Sequence, residues 1–230
     1  MARTNGACPV CGATGPTAFA HIDGRDYWRC PVCEATFLDP AQLPGIESER
    51  REYELHRNAP GDPGYRRFLQ RLSVPLLARL APARRGLDYG CGPGPALASM
   101  LREAGHDVVV YDPFYFDLPE VLERRYDFIT CTEVVEHFHR PATEFARLGR
   151  MLAPGGVLAV MTCFQTDDNC FANWHYRRDP THVVFYRQAT FEWLAHLHGW
   201  HCEIPCRNVA LLHKPVSASA PAASTSPATG

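Results

Sequence analysis

The sequence predicts an α/β fold of the doubly wound, Rossmann-like kind with a small zinc-ribbon-like module ahead of it, and three observations predict it. From Arg85 onward, apolar runs of strand length alternate with amphipathic helical segments, the pattern of parallel βαβ units with helices on both faces of a sheet. The first of those strands runs straight into a glycine loop, "RGLDYGCGPGP" at residues 85–95. Ahead of it, residues 1–38 carry four cysteines in two CPxC turns with Phe19, Tyr27, Trp28 and Phe37 spread among them, which reads as a small β-rich module.

Composition sets the bounds. The chain has 230 residues, 46 % hydrophobic and 21 % charged, enough for one good-sized domain plus an accessory module. Its formal net charge is −2, so no broad basic field is available to hold nucleic acid through its phosphates. Ten cysteines would suit a secreted disulfide scaffold, but "MARTNGACPVCG" lacks the apolar core of a signal peptide. No stretch reaches the roughly 18 apolar residues of a spanning helix. The expectation is a protein of the reducing cytoplasm that has no membrane partner.

In chain order, the cysteines come first. Cys8-x2-Cys11-x18-Cys30-x2-Cys33 fits two metal knuckles, because CxxC brings two thiolates to one ion and Zn²⁺ takes four soft ligands in a tetrahedron. Such a site is closed, so its zinc is structural; free buried thiols are the competing reading. The remaining cysteines lie on predicted strands or loops and read as small apolar residues. Residues 39–84 form a helical linker or lid, with "GIESERREYELHRN" polar at helical spacing, "APGDPGY" a breaker, and "RRFLQRLSVPLLARLAP" amphipathic but interrupted at Pro75. Residues 85–214 are the main domain. There "RGLDY" is a strand, Ala96 to Ala104 a helix, "HDVVVYD" and "YDFITCTE" strands, Pro141 to Leu152 a helix and "GVLAVMT" a strand, followed by a helix near Gln188 to His198. The Pro/Ala/Ser/Thr tail at 215–230 has no periodic apolar face and is expected to be disordered.

Gly90, Gly92 and Gly94 let the backbone turn sharply and approach a ligand closely. Dinucleotide folds use a similar turn, but here the spacing is G-x-G-x-G and an acid, Asp88, stands two residues before it, able to face a cationic amino group. Asp112 closes the next strand, where an acid can accept hydrogen bonds from both ribose hydroxyls.

On these residues the chain resembles the class I S-adenosylmethionine-dependent methyltransferases. "LDYGCGPG", "VVYD", "YDFITCTEVVEHF" and "LAPGGVLAVMT" occur in the family's order across residues 85–165. The resemblance implies a seven-stranded sheet whose last strand is antiparallel, with "NVALLHK" supplying that strand. It also implies that Gly90, Gly92 and Gly94 line the cofactor, Asp88 lies near its methionine amino end, Asp112 holds the ribose, and Thr132 and Glu133 stand beside the methyl group. Only residues 113–126 separate Asp112 from Asp127, so the family's third strand is shortened or absent. Pro113 and Phe114 are then the candidates for the adenine face.

Methyl transfer needs an aligned acceptor and, for a hydroxyl, a base. Glu133, Glu136 and His137 would share one face of a helix begun after Glu133. "WHYRRDPTHVVFYRQATFEWLA" puts Trp174, His175, Tyr176, Asp179, His182 and Tyr186 in a loop before a helix, which suits a substrate wall. His182, His137 and Glu133 are the catalytic candidates. Together these stretches resemble the small-RNA 3′-terminal 2′-O-methyltransferases, which implies a second divalent metal at Glu133, Glu136, His137 and His182. His182 as a metal-free base and His182 as a cap of its loop stand beside that. A ribbon next to such a domain is also similar to some sugar C-methyltransferases and ribosomal RNA methyltransferases. With only Arg3, Arg25 and Arg29 as basic residues, the ribbon favours a small-molecule or sugar-like acceptor over RNA, the alternatives being an RNA methyltransferase and a non-catalytic cofactor-binding module.

Overall fold

The computed structural model describes residues 6–54 and 59–216, so the expected tail lies outside the described residues from 217 onward. The N-terminal segment forms an antiparallel sheet of β1 (Thr17–Ile22), β2 (Arg25–Arg29) and β3 (Thr36–Leu38). Asp23 and Gly24, both at positive φ, make the two-residue hairpin between β1 and β2. Next come α1 (Ile46–Tyr53) and α2 (Pro63–Leu77), the second opened by Asp62, whose carboxylate accepts from the Tyr65 N–H at 2.7 Å, with proline at its first position.

Contrary to the sequence expectation, α2 is not interrupted at Pro75. Proline lacks the N–H that would bond the Arg71 carbonyl, and the Cys206 thiol takes that carbonyl instead.

The main domain runs β4 (Arg85–Tyr89), α3 (Ala96–Glu103), β5 (Asp107–Tyr111), β6 (Tyr126–Thr132), α4 (Pro141–Met151), β7 (Leu152–Met161), α5 (His175–Arg178), β8 (Val184–Phe185), α6 (Gln188–His198), β9 (His201–Cys206) and β10 (Val209–His213). Its sheet has the order β5-β4-β6-β7-β10-β9. Strands β4 to β7 pair in parallel, and β10 is antiparallel to both β7 and β9, so "NVALLHK" does supply the antiparallel strand.

The sheet has six strands among the described residues, not seven. A parallel crossover needs about a dozen residues before its strand begins. The segment after Asp112 holds only a bridge from Asp112 to Phe116 and a 3₁₀ turn at Pro119–Glu123. Strand β9 was not legible beforehand, because its residues are half-exposed without clean alternation.

Period-two alternation places each strand's side chains on two apolar faces. Phe128, Val157, Ala159, Met161 and Leu211 face α2 and α3. Ile129, Leu158, Val160, Ala210 and Leu212 face α4 and α6, in a core that also takes in Tyr27, Trp28 and Phe37 of the N-terminal sheet. Strand β8 pairs with β3, making that small sheet four-stranded, β1-β2-β3-β8.

Candidate active site

Strand β4 has β5 on one side and β6 on the other, and the crevice at such a switch point is where open α/β sheets bind ligands. A cavity of about 860 Å³ lies there, lined by Gly90 to Pro93, Asp112 to Tyr115 and Thr132 to Val134 at one end. At the other end it is lined by His137, His175, Tyr176, Asp179 and His182.

The glycine loop is held by the neighbouring strand. The N–H groups of Gly90 and Cys91 donate to the Tyr111 carbonyl at 2.8 and 3.2 Å. Gly90 and Gly92 stand at φ 76° and 64°, conformations that L side chains adopt only under strain. A methyl on Gly90 would also collide with Val134, whereas one on Gly92 would meet no protein atom within 4 Å and would project into the open cradle. Gly94 is buried and does not line the cavity.

Asp112 knots the two loops together. One carboxylate oxygen accepts from the Gly92 N–H at 2.9 Å, and the other accepts from Phe114 and Tyr115 N–H at 2.9 and 3.2 Å. Asp88 is placed differently from the expectation, because it is buried and does not line the cavity. Alternation along β4 turns it toward α3, where it accepts from Thr130 Oγ1 at 2.7 Å and from the Ala98 N–H. Burial pushes its carboxyl up to about 6.

After β6 the chain turns at Glu133, which is left-handed at φ 53° and donates its N–H to Met161 O at 2.8 Å. Burial raises the Glu133 carboxyl to about 7, opposed by Tyr176 and Arg71. The adjacent Thr132 lines the cavity, and its Oγ1 is buried without a hydrogen-bond partner. The helical face expected to gather Glu133, Glu136 and His137 is a single 3₁₀ turn at Val135–His137, which keeps Glu136 and His137 together, Oε1 to Nε2 at 4.0 Å, but puts them on different sides of the cavity wall. Glu133 and His137 face the cavity, while Glu136 is fully buried behind it and does not line it. Glu136 accepts from Thr162 Oγ1 at 2.9 Å and from the Tyr176 hydroxyl. Burial, reinforced by Glu133, raises its carboxyl to about 8.

Two histidines meet above this pair, their rings 4.7 Å apart and edge to face. His137 Nδ1 lies 3.1 Å from the Thr181 carbonyl and His182 Nδ1 lies 2.7 Å from the Tyr176 carbonyl. A carbonyl only accepts, so both Nδ1 atoms carry the proton and Nε2 is the basic nitrogen of each ring. His182 Nε2 stands 3.7 Å from Asp179. Burial works against ionising Asp179, yet His182 and the Thr181 hydrogen bonds hold its carboxyl below the usual range. One oxygen of Glu136 and one ring nitrogen from each histidine lie within 4.8 Å of one another, a grouping that Glu133 does not join.

Two members of the expected substrate wall are elsewhere. Trp174 packs on Phe171 and Phe185, and the buried Tyr186 donates to the Val135 carbonyl at 2.9 Å. Sequence reading missed Tyr53, Tyr65 and Phe68, which bring α1 and α2 over the cavity. Tyr53 was signalled as an aromatic in an otherwise polar helical stretch, whereas Tyr65, in the breaker, and Phe68, in an amphipathic helix, carried no separate signal. Away from this cavity, Cys8, Cys11, Cys30 and Cys33 do gather, with all four sulfurs within 4.8 Å.

The methyltransferase-domain family model matches residues 57–203. The chain is similar to the structure of the 1,6-didemethyltoxoflavin-N1-methyltransferase of Burkholderia thailandensis, at 18 % identity and a TM-score of 0.53, covering 88 % of this chain and 100 % of that one. It is also similar to an O-methyltransferase family protein of the same organism, at 16 % identity and a TM-score of 0.46, covering 66 % of this chain and only 57 % of that one. No curated protein sequence matches. With most of its length under the family model, the chain belongs to the methyltransferase-domain family, the S-adenosylmethionine-dependent class that its glycine-loop motifs resemble.

Proposed function

We propose that this chain transfers the methyl group of S-adenosylmethionine to a small-molecule or sugar-like acceptor. The observation that carries the reading is one continuous cavity with the glycine loop and Asp112 at one end and His137, Asp179 and His182 at the other. The donor end suits the cofactor. Gly92 leaves an open cradle against the backbone, and Thr132 brings a buried hydroxyl without a protein partner.

When bound, S-adenosylmethionine supplies a methyl group activated by its sulfonium. Asp112 would take the ribose, Pro113 and Phe114 the adenine face, and Thr132 and Glu133 the region of the methyl group. Asp88 and Gly94 would act by shaping the loop and the start of α3. At the acceptor end His182 would receive the acceptor's proton on Nε2, with Asp179 stabilising the imidazolium. His137 would orient the acceptor, and Glu133, with its carboxyl near neutrality, would hold or release a proton beside it. Residues 1–38 would serve as a zinc ribbon, 39–84 as a lid and 85–214 as the catalytic domain. Zinc suits the four cysteines, since Sγ separations of 3.7 Å for Cys8 to Cys33 and 3.5 Å for Cys11 to Cys30 approach the edge of about 3.8 Å of a tetrahedron with zinc–sulfur bonds of about 2.3 Å. A zinc site of four thiolates would suit a reducing compartment such as the cytoplasm; among the described residues no helix is long and apolar enough to cross a membrane.

Calorimetric titration with S-adenosylmethionine, S-adenosylhomocysteine and NADH tests the donor. Binding of the first two alone, weakened about tenfold or more in Asp112→Ala, is expected, since a charged hydrogen bond is worth about 1.5–3 kcal/mol. No binding by the wild type sinks the proposal. His182→Ala should keep donor affinity and lower turnover about 10²- to 10⁴-fold. A labelled methyl group followed into sugar and phenol libraries, and into RNA at low and high salt, identifies the acceptor.

A second reading, metal-assisted transfer, is favoured by the grouping of Glu136, His137 and His182. Both histidines have Nδ1 anchored on a carbonyl, which aims Nε2 as a metal-bound ring requires. Turnover restored by added Mg²⁺, Mn²⁺ or Co²⁺ after mild chelation, at unchanged zinc content, would favour it. Turnover indifferent to added divalent ions leaves His182 as the metal-free base.

A further inference from the structure

We infer that the four-cysteine module is a positioning element of the acceptor site: its zinc fixes β3, β3 templates β8, and β8 places His182. The inference rests on the proposal that these cysteines hold zinc and that His182 works on the acceptor.

The path is short and each link is a contact. In the second knuckle Cys30 N–H donates to the Ala35 carbonyl at 3.0 Å, Glu34 N–H to the Cys30 carbonyl at 3.1 Å, and Val32 N–H to the Cys30 sulfur at 3.4 Å. Strand β3 begins at the next residue, Thr36. It pairs Thr36 with Phe185 and Phe37 with Val184, and Leu38 N–H donates to the Val183 carbonyl at 2.8 Å. His182 is the residue before Val183, whose own N–H donates to the Glu136 carbonyl at 2.9 Å, beside His137. Strand β8 has two residues and, among the described residues, β3 as its one neighbouring strand. The bonds from Val183 N–H to the Glu136 carbonyl and from Gln165 N–H to the Tyr186 carbonyl hold its ends, and the ladder along the strand itself comes from β3.

Side-chain ties from the hairpin grip the same loop. Arg25 donates to the Pro180 carbonyl at 3.2 Å, and Arg177 donates to Asp23 at 2.9 Å. The donor end is built otherwise, from β4, β5 and β6, with its loop bonded to Tyr111 and Asp112. The two ends of the cavity therefore differ in what supports them. Losing the metal should loosen residues 179–187 and leave residues 88–115 in place.

The test is hydrogen exchange by mass spectrometry on the full chain, with zinc content measured, before and after zinc removal, alongside calorimetry with S-adenosylhomocysteine. Exchange across 179–187 should accelerate about tenfold or more while exchange across 88–115 and donor affinity change less than about threefold. Unchanged exchange across 179–187 overturns the inference, and so does purified chain that carries no zinc. If the metal-free chain unfolds throughout, the zinc-loaded Arg25→Ala variant decides. Acceleration confined to 179–187 upholds the inference, and none overturns it. These readouts need neither turnover nor a known acceptor. A zinc-loaded wild type that binds no donor would refute the methyltransferase proposal while the exchange result still judges this one.

Discussion

Asp88 shows how a residue's type is legible in sequence while its environment is not. The acid two positions before the glycines was evident, but strand alternation sends its side chain to the α3 face, away from the cavity. There burial lifts its carboxyl from 3.8 to about 6, with Thr130 and the Ala98 N–H opposing. The unfolded chain releases this proton near the ordinary value, so between about pH 4 and pH 6 the native state binds the extra proton. This group's contribution to stability therefore falls as pH rises through that window, by about 3 kcal/mol in all, and is level above it. Thermal unfolding from pH 3.5 to 7.5 should show a less negative slope for Asp88→Asn than for the wild type across roughly pH 4 to 6. Coincident slopes would mean that Asp88 is solvated in a way its burial denies. Thr132 and Glu133 line the cavity because they directly follow a parallel strand whose end must open on the crevice.

Elements with strong local signals were legible, and those held by partners were not. Helix α6 matches its expected bounds of Gln188 to His198, and it stops because Gly199 adopts φ 67° and lets Trp200 N–H return to the Ala195 carbonyl at 2.8 Å. Gly199→Ala should cost about 1 kcal/mol in denaturant unfolding, with donor affinity unchanged. A cost near zero would show that the cap relaxes without strain. Strand β9 and strand β8 carry no comparable signal. One is a half-exposed edge, and the other is two residues ordered by a strand far away in sequence. Helix α2 survives Pro75 because a thiol from the distant Cys206 takes the carbonyl that proline leaves unbonded.

At the scale of the whole molecule, one core runs through both the N-terminal sheet and the α4–α6 face of the large sheet. Phe185 sits in it fully buried, in edge contact with both Phe171 and Tyr27. Phe185→Ala should therefore destabilise the chain by about 3–5 kcal/mol. Far-ultraviolet circular dichroism and the fluorescence of Trp28, read in a variant whose Trp174, Trp193 and Trp200 are replaced by Phe, should lose their signals in one coincident transition. Two separated transitions would mean that the small sheet folds on its own. By itself the sequence determined the alternation of strands and helices, the glycine turn and the two CxxC pairs, each of which follows from local periodicity or close spacing that covalent geometry carries without help. The antiparallel last strand was implied by the family resemblance instead. The short 113–126 connection already pointed to a shortened or absent third strand, but only the tertiary structure decided that Asp88 and Glu136 lie behind the cavity, that Tyr53, Tyr65 and Phe68 cover it, and that the N-terminal sheet reaches the loop of His182. These depend on which distant surfaces bury one another, and that is settled by packing and hydrogen-bond satisfaction across the whole chain.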